Sequence, residues 1–441
     1  MKKPDFNPFL AWTVFGISIL VVFQALWGFW VSAAWIHIVA ALLMILWLIT
    51  QVLLAAHAHG GIGLRSSSLP GISVVVPCHN SANILEGGVD SLLQQRYEGL
   101  LEIVLVENNS TDNTWEVIQD IQSRYPDKII GVRAYPGLHE FPASVAVNKG
   151  IQVATQDFIV RMDDDTELDL DALHAIGMTL SISENTVATA CNLRIRNVAK
   201  SLWTKLQSIE YLFSMEVDRR SQAVLNSVLC CSGGMSGFRR DALLKIGGYT
   251  TIPNISEDVD ITLKSHKIGL VNMSPAAIGW TDAPETFKAL WKQRVRWTIS
   301  GITAQALHWR GIGNRSYWHQ GMVGFYALPM KLLMSIRNLL PLVIVFEVLM
   351  LSFDWRLKML VLIGMPFVLF AVQMLAARRI VYERQGLQYW WLAAFFVLIY
   401  GPLLLTAGFV GVIIGVYRLR SSLRFRRVSY FDTESELEAA L

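Results

Sequence analysis

The chain has 441 residues, of which 53% are hydrophobic and 17% charged, and its formal net charge is +3. No basic patch with interleaved aromatic residues accompanies this small charge, so we predict no nucleic-acid partner. The cysteines lack any CxxC spacing, which argues against a zinc site and favours reduced thiols; they are Cys78, Cys191, Cys230 and Cys231. The apolar residues are concentrated toward both ends, which indicates a membrane protein with a globular middle.

Two uncharged runs near the N-terminus, Phe9–Trp30 and Ala34–Ala56, each reach the roughly 20 residues that a helix needs to cross a bilayer. We predict that residues 1–64 form a transmembrane hairpin. A cleaved signal peptide is the alternative for the first run, but its apolar core is too long and no small-residue cleavage site follows. Two lysines precede the hairpin and Arg65 follows it, so the positive-inside rule places the next domain in the cytoplasm.

Residues 65–316 alternate between short β-branched runs and segments with helical spacing. The predicted strands are Ile72–Val76, Glu102–Val106, Ile129–Ala134 and Phe158–Met162, and the predicted helices cover 84–95, 110–124 and 143–155. This alternation predicts an α/β fold with a doubly wound, mostly parallel sheet. Ligands bind such sheets at the carboxyl ends of the strands, and polar clusters follow three of these strands.

Three consecutive aspartates follow the fourth predicted strand. Asp163 and Asp165, at i and i+2 in an extended turn, can share Mg²⁺ or Mn²⁺, which in turn binds diphosphate oxygens. A solvated acidic turn is the alternative. The position directly after a strand favours the metal site.

A second acidic group, Glu257 and Asp258, stands where a helix running to about Lys267 is predicted to start. One carboxylate there could serve only as a helix cap. Glu257, Asp258 and Asp260 together exceed what capping requires. Transfer with inversion at an anomeric carbon needs a base for the acceptor hydroxyl, and a carboxylate is sufficient.

A basic, aromatic stretch beginning at Lys288 contains Gln293, Arg296 and Trp297. Cations here can neutralise a departing nucleotide diphosphate, and Trp297 can stack on an acceptor sugar ring. The alternative is a juxtamembrane basic helix with snorkelling arginines and an interfacial tryptophan.

The C-terminal part is predicted to return to the membrane. Residues 317–338 mix apolar positions with Lys331 and Arg337, which suits interfacial helices. Residues 339–427 contain the apolar runs Leu339–Phe353, Leu357–Ala376 and Tyr389–Tyr417, the last with a kink expected at Gly401–Pro402. Five or six spans in total remain open, and residues 428–441 are predicted to be a tail.

Taken together, these motifs resemble the family-2 processive glycosyltransferases, the synthases of cellulose, chitin, hyaluronan and poly-N-acetylglucosamine. The resemblance covers residues 71–301 and the flanking spans. Its most specific part is Gln293-x-x-Arg296-Trp297, which matches the QxxRW motif and follows a DxD and a (T/S)ED motif in the family's order. The resemblance implies a GT-A-type fold in a cytoplasmic domain, flanked by transmembrane and interfacial helices.

The resemblance also implies roles for single residues at matching positions. Asp163 and Asp165 would hold the metal and the donor, Asp258 beside Glu257 would be the base, and Arg296 would stabilise the departing nucleotide. The other implied donor contacts are Pro77, His79, Asn80, Glu107, Asn108 and Gln293. The implied acceptor contacts are Cys231, Ser232, Gly233 and Trp297.

Two departures from the family's pattern fall in the nucleotide pocket. Asn108 stands where a base-contacting aspartate is common, and residues 138–143 lack the lysine of an NxGKA-like segment. They leave the nucleotide and the sugar open, with a UDP-sugar such as UDP-N-acetylglucosamine or UDP-glucose as the expected donor.

The expected function is inverting, processive polymerisation of a β-linked polysaccharide at a bacterial inner membrane, with help in translocation. A glycan or glycolipid acceptor, membrane lipid and accessory membrane or periplasmic subunits are the expected partners. A non-processive enzyme that adds one sugar to a lipid, and an inactive scaffold or export subunit, are the alternatives.

Overall fold

The computed structural model describes residues 34–57, 69–138, 140–319, 321–339 and 364–423. One sheet contains the strands β1 (Ile72–Cys78), β2 (Leu101–Asn108), β3 (Ile129–Ala134), β4 (Phe158–Met162), β5 (Glu167–Leu168), β6 (Thr186–Ile195), β7 (Met235–Arg239) and β8 (Leu270–Thr281). The α-helices are α1 (Ala34–His57), α2 (Leu85–Leu93), α3 (Thr114–Arg124), α4 (Pro142–Val153), α5 (Ala172–Ser181), α6 (Leu202–Phe213), α7 (Arg220–Val224), α8 (Arg240–Lys245), α9 (Glu257–Ser265), α10 (Phe287–Leu307), α11 (Leu328–Arg337), α12 (Met365–Ile380), α13 (Ala393–Phe395) and α14 (Gly401–Leu423).

The sheet is mixed: the first half is parallel as predicted, whereas in the second half only β6 and β8 pair in parallel and the other pairings are antiparallel. The strand order is β3-β2-β1-β4-β7-β6-β8-β5. The strands β1 to β4 pair in parallel, as their strand–helix alternation predicted. The strand β7 runs antiparallel to both neighbours, β4 and β6, because the chain returns to the middle of the sheet in the opposite direction.

The four predicted strands are confirmed, with shifts of one or two residues at their ends. The strand β1 continues through Pro77 to Cys78, whereas its predicted end was before the proline. Proline is tolerated there because β4 pairs with β1 only as far as Val75, so the missing N–H is not needed on that side.

The first layer of helices packs closely on the parallel strands. In β1 the side chains of Ile72, Val74 and Val75 are fully buried, as expected for a strand covered on both faces. A Cβ atom at Gly150 of α4 would overlap the Val75 side chain. Glycine at this position therefore lets α4 lie directly on the sheet.

A fully buried charge cluster docks the C-terminal segment on the sheet. Glu216 Oε1 accepts a 2.6 Å hydrogen bond from Arg194 of β6, and Glu216 Oε2 accepts one of 3.0 Å from Arg220. The backbone N–H of Glu383 also donates to Glu216, and Gln385 bonds both backbone groups of Ile195. The segment between α12 and α13 is thus fixed to the domain.

Within the described residues, one helix is long and apolar enough to cross a bilayer: Leu387–Leu423, with mean hydropathy 2.3 over its best window. It contains the π-helical turn Phe396–Tyr400 directly before the predicted kink at Gly401–Pro402. Proline cannot donate to the carbonyl four residues earlier, which explains the change of helix type here. The predicted span Phe9–Trp30, residues 340–363 and the tail lie outside the described residues, as do the side chains of the first half of α1.

A row of glycines on α14 brings this helix close to α10. A Cβ atom at Gly411 would lie 2.5 Å from Thr298 Cβ, and one at Gly415 would lie 2.8 Å from Ile302 Cδ1. Small residues at such spacing let helix backbones approach closely. This contact sets the position of α10, which carries the predicted cationic motif.

Candidate active site

A cavity of about 1070 Å³ lies between the sheet edge, α9, α10 and α14. The predicted residues that line it are Asp163, Asp165, Ser232, Gly233, Glu257, Asp258, Gln293, Arg296 and Trp297. The acidic and cationic motifs, which are far apart in the sequence, therefore share one site.

The three aspartates divide between two sides of the loop that follows β4. Asp163 and Asp165 face the cavity. Asp164 faces the loop that follows β1 instead. There its Oδ2 accepts hydrogen bonds from the Ser81 hydroxyl and from the His79 backbone N–H at 3.3 Å. The i and i+2 spacing thus places Asp163 and Asp165 on the same side, as the metal prediction requires.

The two cavity-facing carboxyl groups have raised pKa values. Burial, together with the negative charges of Asp163 and Asp164, raises the pKa of Asp165 to about 6. Burial raises the pKa of Asp163 as well, although Arg161 opposes the shift. A divalent cation relieves such repulsion, and carboxylate oxygens are the ligands that Mg²⁺ and Mn²⁺ prefer.

The donor set fits a cation shared with a substrate. Within the described part of the chain, no three His, Cys, Asp or Glu side chains are grouped to hold a metal alone. Two carboxylates with diphosphate oxygens and water as further ligands is the arrangement that Mg²⁺ commonly adopts. Asp163 and Asp165 are therefore suited to hold the ion only together with a phosphate ligand.

The two oxygens of the Asp258 carboxylate differ in the number of hydrogen bonds that they accept. Its Oδ1 accepts hydrogen bonds from the Ser256 hydroxyl at 2.7 Å and the Val259 N–H at 2.8 Å. Among the described residues, its Oδ2 accepts a hydrogen bond only from the Cys230 thiol, at 3.1 Å. Burial raises the pKa of Asp258, but the hydrogen bonds from Ser256 and Cys230 outweigh it, so the pKa is lowered overall. Asp258 is thus an ionised carboxylate at neutral pH with Oδ2 available to a proton.

A buried guanidinium joins the two acidic motifs. Arg161, inside β4, lies 2.9 Å from Glu257 Oε1 and 3.6 Å from Asp163 Oδ1. Burial raises the pKa of Glu257 and Asp258 adds to the shift, whereas Arg161 opposes it. A Cβ atom at Gly233 would lie 2.7 Å from Arg161 Nη2. The loop that contains Ser232 and Gly233, the predicted acceptor loop, therefore lies directly over the arginine.

The cavity-lining side chains of the cationic helix α10 differ in their exposure to solvent. Arg296 and Trp297 are exposed, whereas Arg294 is buried and forms an ion pair of 2.8 Å with Glu210. The Arg294 guanidinium also lies 4.3 Å from the centre of the Trp297 ring. Arg294 thus packs against the indole of Trp297, and the exposed Arg296 is accessible to a ligand in the cavity.

The predicted nucleobase contacts form a separate polar cluster at the ends of β1 and β2. His79 Nδ1 lies 2.8 Å from the Asn108 carbonyl oxygen, and Asn80 Oδ1 accepts a hydrogen bond from the Thr111 N–H at 2.8 Å. Asn80 has a φ of 55°, which asparagine tolerates better than most residues. Pro77, His79, Asn80, Glu107 and Asn108 do not line the large cavity; Asp164 connects the two sites.

The side-chain oxygens of this second cluster differ in their partners. Glu107 is buried, accepts a hydrogen bond from the Ser110 N–H at 2.6 Å and lies 3.6 Å from Arg133. Asn108 Oδ1 is buried and has no hydrogen-bond partner among the described residues. An unpaired buried acceptor is available to a ligand donor, such as a base N–H.

The predicted acceptor loop reaches the cavity through Ser232 and Gly233. Ser232 accepts a hydrogen bond of 2.9 Å from Arg219. Cys231 is fully buried, does not line the cavity, and its N–H donates to Thr262. Its neighbour Cys230 lines the cavity and contacts Asp258.

Three polar residues of the site were not predicted from the sequence, namely Arg161, Cys230 and Arg294. A charge within the apolar strand Phe158–Met162 was a visible signal for Arg161, because a buried charge needs a partner. The i, i+3 spacing of Arg294 and Trp297 indicated contact on a helix. For Cys230, in a loop, no such signal exists.

Part of this chain is similar to known glycosyltransferases. Residues 73–247 match the family Glycosyl transferase family 2. The chain is 32% identical over 239 residues to the poly-beta-1,6-N-acetyl-D-glucosamine synthase of Staphylococcus aureus strain MSSA476, covering 54% of this chain and 56% of that protein. It is 31% identical over 232 residues to the Staphylococcus epidermidis synthase of the same name, covering 52% and 54%. The similarity therefore spans about half the length of these relatives.

A solved structure with the same fold is a mannosyltransferase from Pyrobaculum calidifontis in complex with GDP-Man and Mn²⁺. The TM-score is 0.51 with 16% sequence identity, and the match covers 86% of this chain and 97% of that one. The likeness shows a GT-A-like fold and is not evidence for a shared sugar.

Proposed function

We propose that this chain is an inverting, processive glycosyltransferase, because residues 73–247 match the family Glycosyl transferase family 2. It polymerises a sugar from a nucleotide-sugar donor into a β-linked polysaccharide. The similarity to poly-beta-1,6-N-acetyl-D-glucosamine synthases supports UDP-N-acetylglucosamine as the first donor to test, and UDP-glucose is the second.

The observation that carries this proposal is the convergence of opposite charges on one cavity. Asp163 and Asp165 lie on one wall, Asp258 lies on another, and Arg296 and Trp297 lie on α10. A diphosphate needs the cations, an acceptor hydroxyl needs the base, and a sugar ring needs the aromatic face. A structural acidic turn or a basic helix alone would not require their convergence.

The proposed reaction uses Oδ2 of Asp258 as the base. Asp258 Oδ2 accepts the proton of the acceptor hydroxyl while that oxygen forms a bond to the anomeric carbon of the donor. The bond from this carbon to the diphosphate oxygen breaks, and its electron pair leaves with the nucleoside diphosphate. Attack opposite the leaving group converts an α-linked donor into a β-linked product.

The other residues orient the donor and balance its charge. A divalent cation held by Asp163 and Asp165 would supply positive charge to the diphosphate. Arg296 stabilises the charge that develops on the leaving group. Arg161 keeps Asp163 and Glu257 in place from below, and Trp297 stacks on the acceptor sugar.

The cavity also reaches α14, which supports a path for the product. Val410, Ile414 and Arg418, which lie four residues apart on α14, form part of its wall. Since α14 belongs to the candidate span Leu387–Leu423, we propose that the growing polymer leaves along this helix. The catalytic domain then lies on the cytoplasmic face of a bacterial inner membrane, where nucleotide sugars are made.

The test is a donor screen on the purified full-length protein with Mg²⁺ or Mn²⁺. Released nucleoside diphosphate identifies the donor, and gel analysis of a labelled product gives its length. A long product supports polymerisation, a single added sugar on a lipid supports the non-processive alternative, and no release from any donor rejects an active transferase.

A further inference from the structure

A second cavity, of about 1050 Å³, lies between α12 and the start of the candidate membrane span. It is remote from the reacting groups, and none of its lining residues belongs to the active-site cavity. The proposed function does not use it.

The interior of this second cavity is apolar. Phe367, Phe370, Met374 and Arg378 line it from one face of α12, at the i, i+3, i+7 and i+11 positions that helical periodicity places on one side. The opposite wall is formed by Leu387, Gln388, Trp390 and Ala393. A stripe of this kind accommodates an acyl chain.

The mouth of the cavity is cationic. Arg378, in the last turn of α12, and Arg384 both line it and are exposed. No carboxylate among the described residues lies within ion-pairing distance of either guanidinium. In contrast, Arg194 and Arg220 nearby both form ion pairs with Glu216. The positive charge at the mouth is thus available to an anion.

The position of the mouth indicates a membrane surface. Trp390 lines the cavity, is 64% exposed and stands at the beginning of the candidate span Leu387–Leu423. Tryptophan and arginine at the end of a span are the residues that lie at lipid headgroup level. A ligand in this cavity has its polar end at that level and its apolar end alongside α12.

From this geometry we propose that the cavity binds one anionic phospholipid. The headgroup phosphate accepts hydrogen bonds from Arg378 and Arg384, and one acyl chain packs along Phe367, Phe370 and Met374. Arginine suits this role because its planar fork matches phosphate oxygens. The site links lipid composition to the segment that Glu216 and Gln385 fix to the catalytic sheet.

The experiment is native mass spectrometry of the full-length chain. Delipidated protein is titrated with an equal mixture of phosphatidylglycerol and phosphatidylcholine. We expect wild-type protein to retain one phosphatidylglycerol, and the double variant Arg378→Gln/Arg384→Gln to lose about tenfold in its occupancy. The control Arg379→Gln removes the same charge from the exposed neighbour that does not line the cavity, and it should retain the lipid.

Two further arms separate a lipid site from a simple anion site. Ala371→Trp fills the cavity without changing charge and should lower phosphatidylglycerol retention as much as the double variant does. Inorganic phosphate, which has no acyl chain, should not displace the lipid. Equal loss in Arg379→Gln, full retention in Ala371→Trp, or displacement by phosphate would each overturn the proposal.

Discussion

Arg161 Nη2 lies 2.9 Å from Glu257 Oε1, with both side chains largely withdrawn from solvent. This ion pair connects β4, which directly precedes Asp163, with α9, which carries Asp258. The paired charges hold the two halves of the candidate site at a fixed separation, and the same guanidinium lies beneath Gly233 of the predicted acceptor loop.

Replacing this arginine should be costly. Arg161→Met leaves Glu257 buried without its partner, and we expect the free energy of unfolding to fall by about 3–5 kcal/mol. Denaturant unfolding in detergent measures the change. The control is Arg124→Met, which breaks the 2.7 Å pair with Glu86, where both side chains are substantially exposed, and should cost no more than about 1 kcal/mol. Equal costs in the two variants would contradict the role of the buried pair.

The thiol of Cys230 should tune the proposed base. Cys230→Ala removes the hydrogen bond to Asp258 Oδ2. Since a hydrogen bond to the ionised form lowers a carboxyl pKa, its loss should raise the pKa of Asp258. The acidic limb of the pH–rate profile should then move to higher pH. Cys231→Ala, at the adjacent buried thiol, should leave the limb in place; a common shift in both variants would refute the assignment.

The glycine row on α14 should be needed for the position of α10. Gly411→Leu places a side chain where Thr298 already lies, and such overpacking costs about 1–3 kcal/mol. We expect a lower unfolding temperature and slower sugar transfer, because α10 carries Arg296 and Trp297. Ile413→Ala, at a 53% exposed position of the same helix, is the control. Unchanged transfer in Gly411→Leu would show that this contact does not position the site.

His266 should make stability depend on pH. Burial lowers the pKa of His266 to about 4 from its ordinary 6.5. The carbonyl oxygen of Val228, which can only accept, lies 2.8 Å from His266 Nε2, so this nitrogen carries the proton and donates the hydrogen bond. Unfolding therefore takes up a proton below pH 6.5, so the stability falls between pH 6.5 and about 4.

This histidine should account for about 2 kcal/mol of lost stability between pH 7 and pH 5. His266→Gln keeps a side-chain donor without the titration. The difference between the two proteins in the pH dependence of unfolding measures the contribution. Parallel stability curves for both proteins would show that His266 is not buried in its neutral form.

The first half of the fold followed from the sequence because its signals are local. Runs such as Ile72–Val76 and Phe158–Met162 are short, β-branched or apolar, and bounded by polar turns, and each became a buried parallel strand. The second half did not, because the antiparallel insertion of Met235–Arg239 between β4 and β6 depends on contacts across the sheet. The local pattern of apolar residues in a strand does not show which distant strand will pair with it.

The candidate site was predictable as motifs but not as contacts. Spacing alone placed Asp163 and Asp165 together and left Asp164 facing away. The bond from Cys230 to Asp258 and the pair of Arg294 with Glu210 join residues from separate elements. Such pairs arise only when tertiary packing has brought those elements together.

The most direct test of the central claim is the variant Asp258→Asn, compared with Asp241→Asn at an exposed aspartate of α8. Incorporation of labelled sugar is measured beside equilibrium binding of the donor. The account predicts that Asp258→Asn lowers transfer by at least about a hundredfold with donor affinity preserved, and that Asp241→Asn changes neither quantity. Wild-type transfer by Asp258→Asn would contradict the assignment of Asp258 as the base.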